Sequence, residues 1–492
     1  MRRSTAILTS ALALAGCAVG PNFTRPGPPA IARYTADPTP AATAGTTGPQ
    51  GARQALAVGA AVEGRWWTRF SSPELDRLMD RALANNADVA AARAALRAAR
   101  EVYLAQRGSL YPTLDFQSQN SRNRSSAALS PPLNNNDLNY SLFSNQFNLS
   151  YTLDLFGGVR RAVEATAAQA QQQRYQTEAT YLTLTNNLVG GYVQLASLRA
   201  QIVADEQLKQ DALRLLQLTV LQRTQGQVSG FEYATAATQL AQAEGALPTL
   251  RKAAAQQLDL LAALSGETPS ELGAINGDLD TLTLPGGLPV SLPAQLVDQR
   301  PDLRSAEAAV HAAAAQVGVA LANRLPNLTI TGNAGGVSTR IEDVLSHGNS
   351  TFSIVGGLTQ AIFDGGTLKH RQRQAEALLD QAREQYRSTL LTAVQNVADV
   401  LSAVTTDADG LVSAQAADAA ARRGLRVATL QNAYGQTSGM TRLNAEVVAL
   451  QADLTLRQAR AARLADSVAL YVALGGGWWN RADLSPSSGG HP

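Results

Sequence analysis

The chain has 492 residues, of which 45% are hydrophobic and only 16% charged, against about 25% charged in an ordinary soluble domain. Lys and Arg number 41 against 39 Asp and Glu. That balance excludes a nucleic-acid-coating protein, whose basic residues run in excess, and an acidic disordered chain. Length alone suggests about three domains.

Arg2 and Arg3 precede an apolar run from Ala6 to Ala15, the layout of a signal peptide over residues 1–16. The run is too short to span a bilayer, which takes about 20 residues. The tetrad Leu14-Ala15-Gly16-Cys17 looks like a bacterial lipobox and holds the single cysteine of the chain. Cleavage before Cys17 leaves an acylated N-terminus and removes two arginines, so basic and acidic residues become equal in number. Residues 17–64, rich in Pro, Gly, Ala and Thr without periodicity, read as an extended tether leading to Trp66-Trp67.

Beyond the tether the chain repeats itself. Ala95–Ala99 ahead of Tyr111-Pro112 answers Ala309–Ala313 ahead of Leu325-Pro326. Phe156-Gly157-Gly158 answers Phe363-Asp364-Gly365-Gly366, Gly226–Gly230 answers Gly435–Gly439, and Gln242–Glu244 answers Gln451–Asp453. Four matches in the same order indicate a tandem duplication, with repeats over 65–284 and 285–477 and a tail over 478–492.

The first repeat is expected to hold helices at about 74–84 and 87–110, strands at about 112–122 and 145–156, a long helix over about 158–225 and another over about 231–264. The second is expected to hold a helix at about 302–324, strands at about 326–338 and 352–363, a long helix over about 366–434 and one over about 440–474. Pro248 should kink its helix or mark an irregular turn. The long helices carry heptad stripes, Tyr181, Leu188, Leu195 and Ile202 in one and Leu390, Val397, Val404 and Leu411 in the other. Such stripes specify coiled-coil packing.

The strand segments alternate apolar and polar residues, most cleanly in Phe147–Leu155. A half-buried soluble sheet has the same period. A transmembrane barrel, apolar outside and polar towards a lumen, fits the segment lengths as well. Four strands cannot close a channel, and open edges in lipid leave backbone groups unpaired. Three copies of the chain give twelve strands, with the loops over 121–145 and 332–351 facing outside the cell.

These features resemble the outer-membrane factor family, the TolC-like channels, and within it the OprM/NodT-type efflux lipoproteins. The residues carrying the resemblance are Cys17–Phe23 with Arg25-Pro26, Trp66-Trp67, Asn85-Asn86, Asp154–Gly158, Arg300–Leu303, Ile362–Gly366 and Ala473–Trp478. The fold class it implies is mainly α with a small β part. A homotrimer would form a twelve-stranded barrel in the outer membrane, continued by a coiled α-helical barrel in the periplasm. The implied role is exit duct of a tripartite efflux system. Its partners would be a periplasmic adaptor, an inner-membrane resistance-nodulation-division pump and outer-membrane lipid.

The resemblance also places a gate at the periplasmic tip. Such channels often carry an aspartate nine residues after the glycine equivalent to Gly435. Here Asn444 holds that place, with Thr441 three residues earlier, so an acidic ring that favours cations is missing. Adaptor docking is expected at the helix–helix turns, at Gly226, Gln227, Gly230, Gly435 and Gly439, where glycine permits the reversal.

The four histidines, His311, His347, His370 and His491, are isolated and form no zinc pattern. His311 reads as a packing or interface residue. Gly475-Gly476-Gly477 follows a helix and ends it instead of cradling phosphate. No metal, cofactor, nucleic-acid site or catalysis is expected. Alternatives within reach are a secretion duct for peptides or signal molecules in the same fold, and a periplasmic coiled-coil adaptor without a pore.

Overall fold

The structure, a computed structural model, describes residues 18–27, 29, 31–126, 128 and 138–481. Cys17 and His491 lie outside the described residues, as does most of the loop after the first long strand.

The chain opens with β1 (Ala55–Val58) and a 3-10 turn at Trp66–Phe70. Then come α1 (Pro73–Asn85), α2 (Ala87–Gly108), β2 (Thr113–Arg124), β3 (Asn139–Leu153), α3 (Gly158–Thr224) and α4 (Gly230–Ser265). The second repeat supplies β4 (Gly287–Val290), α5 (Pro293–Gln299), α6 (Pro301–Ala322) and β5 (Asn327–Ser338). It closes with β6 (Ser350–Thr359), α7 (Thr367–Ala433) and α8 (Gly439–Ala473).

The duplication extends to element lengths. α3 and α7 are each 67 residues long and start 209 apart. α2 and α6 are each 22 residues, and β2 and β5 each 12, both pairs 214 apart. At 1.5 Å per residue the long helices run about 100 Å. The repeats are nevertheless not separate bodies. One compact unit gathers residues up to 26 with 95–174 and 305–387; the other gathers 27–94, 175–304 and 388–492. Each unit draws on both repeats.

Local chemistry sets the helix starts. Ser72 caps α1, its hydroxyl accepting from the Leu75 N–H at 3.3 Å, with Pro73 in the first turn. Asn86 does the same for α2 through the Val89 N–H at 3.0 Å. Asp154 accepts from Val159 and Arg160 at the start of α3, and Asp364 accepts from Gly366 and Leu368 at the start of α7. Each satisfies backbone donors that a helix leaves open.

In the second unit the heptad stripes turn inward. Tyr181, Leu188 and Leu195 are buried, as are Val397, Val404 and Leu411; Ile202 and Leu390 are half-buried. Ion pairs tie the hairpin legs together. Lys209–Glu244 at 3.3 Å and Arg251–Glu206 at 2.8 Å join α3 to α4, and Arg422–Asp453 at 2.7 Å joins α7 to α8.

Three expectations need correcting. Within the segment read as an extended tether, residues 43–58 are packed into the fold. β1 pairs in parallel with β4, and Gln50 and Gln54 are buried. The Gln50 amide donates to the Leu279 and Leu282 carbonyls, the Gln54 amide to Pro285. Together they enclose the Arg463 guanidinium, which donates to the Gln50 carbonyl, Thr43 Oγ1 and Gln54 Oε1. Pro248 marks no irregular turn, since its helix continues through it from Gly230 to Ser265; the neighbouring Leu247 is buried. The strands also shift along the chain. β3 begins at Asn139, and neither Leu155-Phe156 nor residues 360–363 belong to a strand, because Asp154 and Asp364 already serve the following helices.

Candidate functional site

The four-stranded sheet has the order β2-β3-β5-β6, antiparallel throughout. Its register lines up the alternation across all four strands. One face carries the rows Phe116–Phe147–Ala334–Phe352 and Leu114–Leu149–Gly332–Ile354. The intervening rows, Asp115–Asn148–Asn333–Ser353 and Gln117–Gln146–Gly335–Thr351, occupy the other face. Val355, opposite Thr331, and Leu142, opposite Ser121, are apolar exceptions on the polar face.

The apolar face is bare. Phe116 is 60% exposed, Phe352 82% and Ile354 78%. Phe116 and Phe147 meet with ring centroids 5.2 Å apart, a cross-strand pair. Below the sheet, Ile362 and Phe363 are more than 90% exposed. A monomer in water would not hold so large an apolar surface open. β2 and β6 are the edges of the sheet, and each leaves a row of backbone donors and acceptors unpaired. The polar face carries amides and hydroxyls, with Asp115 as its charge in these rows.

In the first unit the residues after Cys17 are fastened down. The buried Arg161 donates to the Val19 carbonyl at 3.2 Å and to the Asn22 side-chain oxygen at 2.6 Å. A Cβ at Gly318 would sit 2.9 Å from that Val19 oxygen, so only glycine allows the close approach. Phe23 stacks on His311 with centroids 4.4 Å apart, and Arg25 pairs with Glu307 at 3.0 Å. His311 Nε2 is 2.9 Å from Glu164. Burial raises the Glu164 carboxyl, yet hydrogen bonds from Arg161 and His311 hold it below its usual range.

The hairpin turns share one design. Gly226 and Gly435 adopt φ of +72° and +69°. The next N–H reaches back to close each helix, Gln227 to the Gln222 carbonyl and Gln436 to the Gln431 carbonyl, both at 2.8 Å. Each following helix is capped by serine. The Ser229 N–H donates to Glu232 at 2.5 Å, and the Thr441 N–H donates to Ser438 Oγ at 3.2 Å. That bond from Ser229 holds the Glu232 carboxyl below its usual range. Beside the turns, Phe231, Tyr434, Leu430 and Leu221 are exposed, apolar side chains that turn chemistry alone does not reveal.

Thr441 and Asn444 are exposed on α8 and share one face at a spacing of three. Leu443 between them is fully buried against Leu215 of α3 and Ala236 of α4. The two hairpins are thus packed together next to Asn444. Gly230 and Gly439 are the first residues of α4 and α8.

The profile of the outer membrane efflux protein family matches residues 78–267 and 292–476. The chain belongs to that family. The two matched stretches fall one on each repeat. The pyoverdine export outer membrane protein OpmQ of Pseudomonas aeruginosa is 30% identical over 422 residues, 84% of this chain and 87% of OpmQ. The probable efflux pump outer membrane protein TtgC of Pseudomonas putida is 27% identical over 482 residues, 96% of each chain. The solved outer-membrane channel OprN superposes with a TM-score of 0.83 at 27% identity, over 94% of this chain and 100% of OprN. The Campylobacter jejuni CmeC channel superposes with a TM-score of 0.81 at 23% identity, over 94% of this chain and 95% of CmeC, a likeness of fold. The protein is an outer-membrane efflux channel of TolC-like fold, reaching into the periplasm.

Proposed function

We propose that three copies of this chain form the outer-membrane exit duct of a tripartite pump, anchored by lipid on Cys17. The observation that carries the reading is the four-stranded sheet, apolar and exposed on one face, polar on the other, and open at both edges. Only closure removes such edges in lipid. Pairing β6 of one copy with β2 of the next closes twelve strands around a lumen lined by Asn, Gln, Ser and Thr.

Lipid on Cys17 places the acyl chains one residue ahead of the fastened segment 18–26. The helical tips at Gly226–Gly230 and Gly435–Gly439 serve as the docking face for a periplasmic adaptor. Gln227 sits at the reversal, and the exposed Phe231 and Tyr434 offer apolar anchors. Asn444 and Thr441 form the periplasmic constriction, and the inner-membrane pump supplies the energy.

The cargo is a small toxic compound selected by the pump. The relatives' names cover pyoverdine, antibiotics and toluene, chemistries too different for one duct wall to recognise. Deletion of the gene followed by a panel of antibiotics, dyes, solvents and metals tests the reading. Hypersensitivity that is relieved by the wild-type chain, and not by a variant charged at Gln227 and Thr437, supports it. Full export by that double variant contradicts the docking assignment.

A further inference from the structure

Inside one chain, α6 of the second repeat lies antiparallel on α3 of the first. Ala322 faces Gly158, Gly318 faces Arg161, and His311 reaches Glu164. Each helix has a duplicate: α2 stands 214 residues before α6, and α7 stands 209 after α3. The duplicates have no equivalent partner within the described residues of the chain. α2 buries only Val89 and leaves Leu104, the counterpart of the buried Gly318, 48% exposed; on α7 His370, the counterpart of the buried Arg161, is exposed.

The charges on these bare faces are complementary. Arg97 and Glu101 stand one turn apart on α2, and Arg373 and Glu376 nearly one turn apart on α7, all exposed. Glu376 accepts from the Gln372 amide at 2.7 Å. Carrying the α6–α3 register over by the two offsets puts Arg97 in the place of His311 and Arg373 in that of Glu164; the two arginines are balanced by Glu101, opposite the turn Lys369–Arg373, and by Glu376, in the turn Arg373–Ala377 opposite Arg97. Leu104 takes the place of Gly318, so the gap that admits Val19 and Gly20 beside α6 is filled by a side chain beside α2.

We propose that α2 of one protomer docks on α7 of its neighbour in the register that α6 keeps with α3, joined by two ion pairs, Arg97–Glu376 and Glu101–Arg373. The occupant of the exposed α2 face is therefore a second copy of this chain. The inference rests on the trimeric reading above and deepens it. In a closed ring the contact recurs three times, so its charges act together.

The test uses the full-length protein extracted from membranes. Arg97→Glu sets acids against Glu376 and should cut the trimer surviving a fixed heating step by about fivefold, since exposed pairs are individually weak but recur three times. Arg97→Glu combined with Glu376→Arg should restore it. Independently, Glu101→Cys with Arg373→Cys should give disulfide-linked trimers under a mild oxidant, and neither single variant should. Wild-type trimers with no rescue and no cross-linking would overturn the register while leaving the trimer standing. A wild-type chain that migrates as a monomer would overturn both.

Discussion

The Arg161 guanidinium, buried in α3, donates to the Asn22 side-chain oxygen at 2.6 Å, across a sequence separation of 139 residues. One side chain thus fixes the segment that follows the proposed lipidation site to the start of a 67-residue helix. Arg161→Ala should cost about 2 kcal/mol through lost charge-assisted hydrogen bonds and release residues 19–26. Limited chymotrypsin digestion after Phe23 should become fast in the variant while the helical part stays intact. Unchanged cleavage would mean the segment is held by Phe23 and Glu307 alone.

Neighbouring residues on β3 face opposite sides, which makes them a matched pair. Phe147→Arg puts a charge on the lipid face and should cost about 2–4 kcal/mol near the bilayer midplane, lowering assembled protein in the outer membrane. Gln146→Arg, on the polar face, should assemble normally and lower cation conductance. Membrane fractionation and single-channel recording of the two variants read both effects.

At the proposed constriction Asn444 offers no charge, whereas an acidic ring there would favour cations. Asn444→Asp should shift the reversal potential in a salt gradient towards the cation equilibrium potential. Identical reversal potentials would remove Asn444 from the constriction.

Asp466 on α8 is pushed up from 3.8 to about 7, by burial first and then by Asp407 on α7, with Arg463 acting the other way. The folded chain therefore keeps a proton that the unfolded chain has lost across this window. Stability is full below the ordinary carboxylate range and is lost as pH rises towards about 7. Asp466→Asn should flatten that slope and raise the melting temperature at pH 8 by roughly 2–4 °C. Melting curves from pH 4 to 8 for both proteins check the sign.

Much of this architecture is legible because the repeat and the periods are local. The 209-residue offset, the heptads from Tyr181 and from Leu390, and the alternation of Phe147–Leu153 need no distant partner to be seen. The register across β2, β3, β5 and β6 does need partners, and it turns four loose alternations into two continuous faces. The segment 41–58 reads as a tether because its order comes from outside itself. β1 finds β4 some 230 residues away, and Gln50 and Gln54 close around Arg463, which in sequence looks like one more arginine on a helix surface. Arg161 is hidden in the same way: the dyad Arg160-Arg161 after Phe-Gly-Gly is visible, but not that Arg160 turns to Asp154 while Arg161 turns inward. The turn glycines were visible, whereas Phe231 and Tyr434 beside them gave no periodic signal.

The central claim is that copies of this chain close a water-filled barrel, and conductance tests it most directly. Protein purified from the outer membrane and added to a planar bilayer should give discrete, long-lived steps of uniform size, carried by the heat-dissociable trimer band and absent from the Phe147→Arg preparation. Stable trimers that insert into the bilayer yet pass no current, with Asn444→Asp and wild type equally silent, would contradict it.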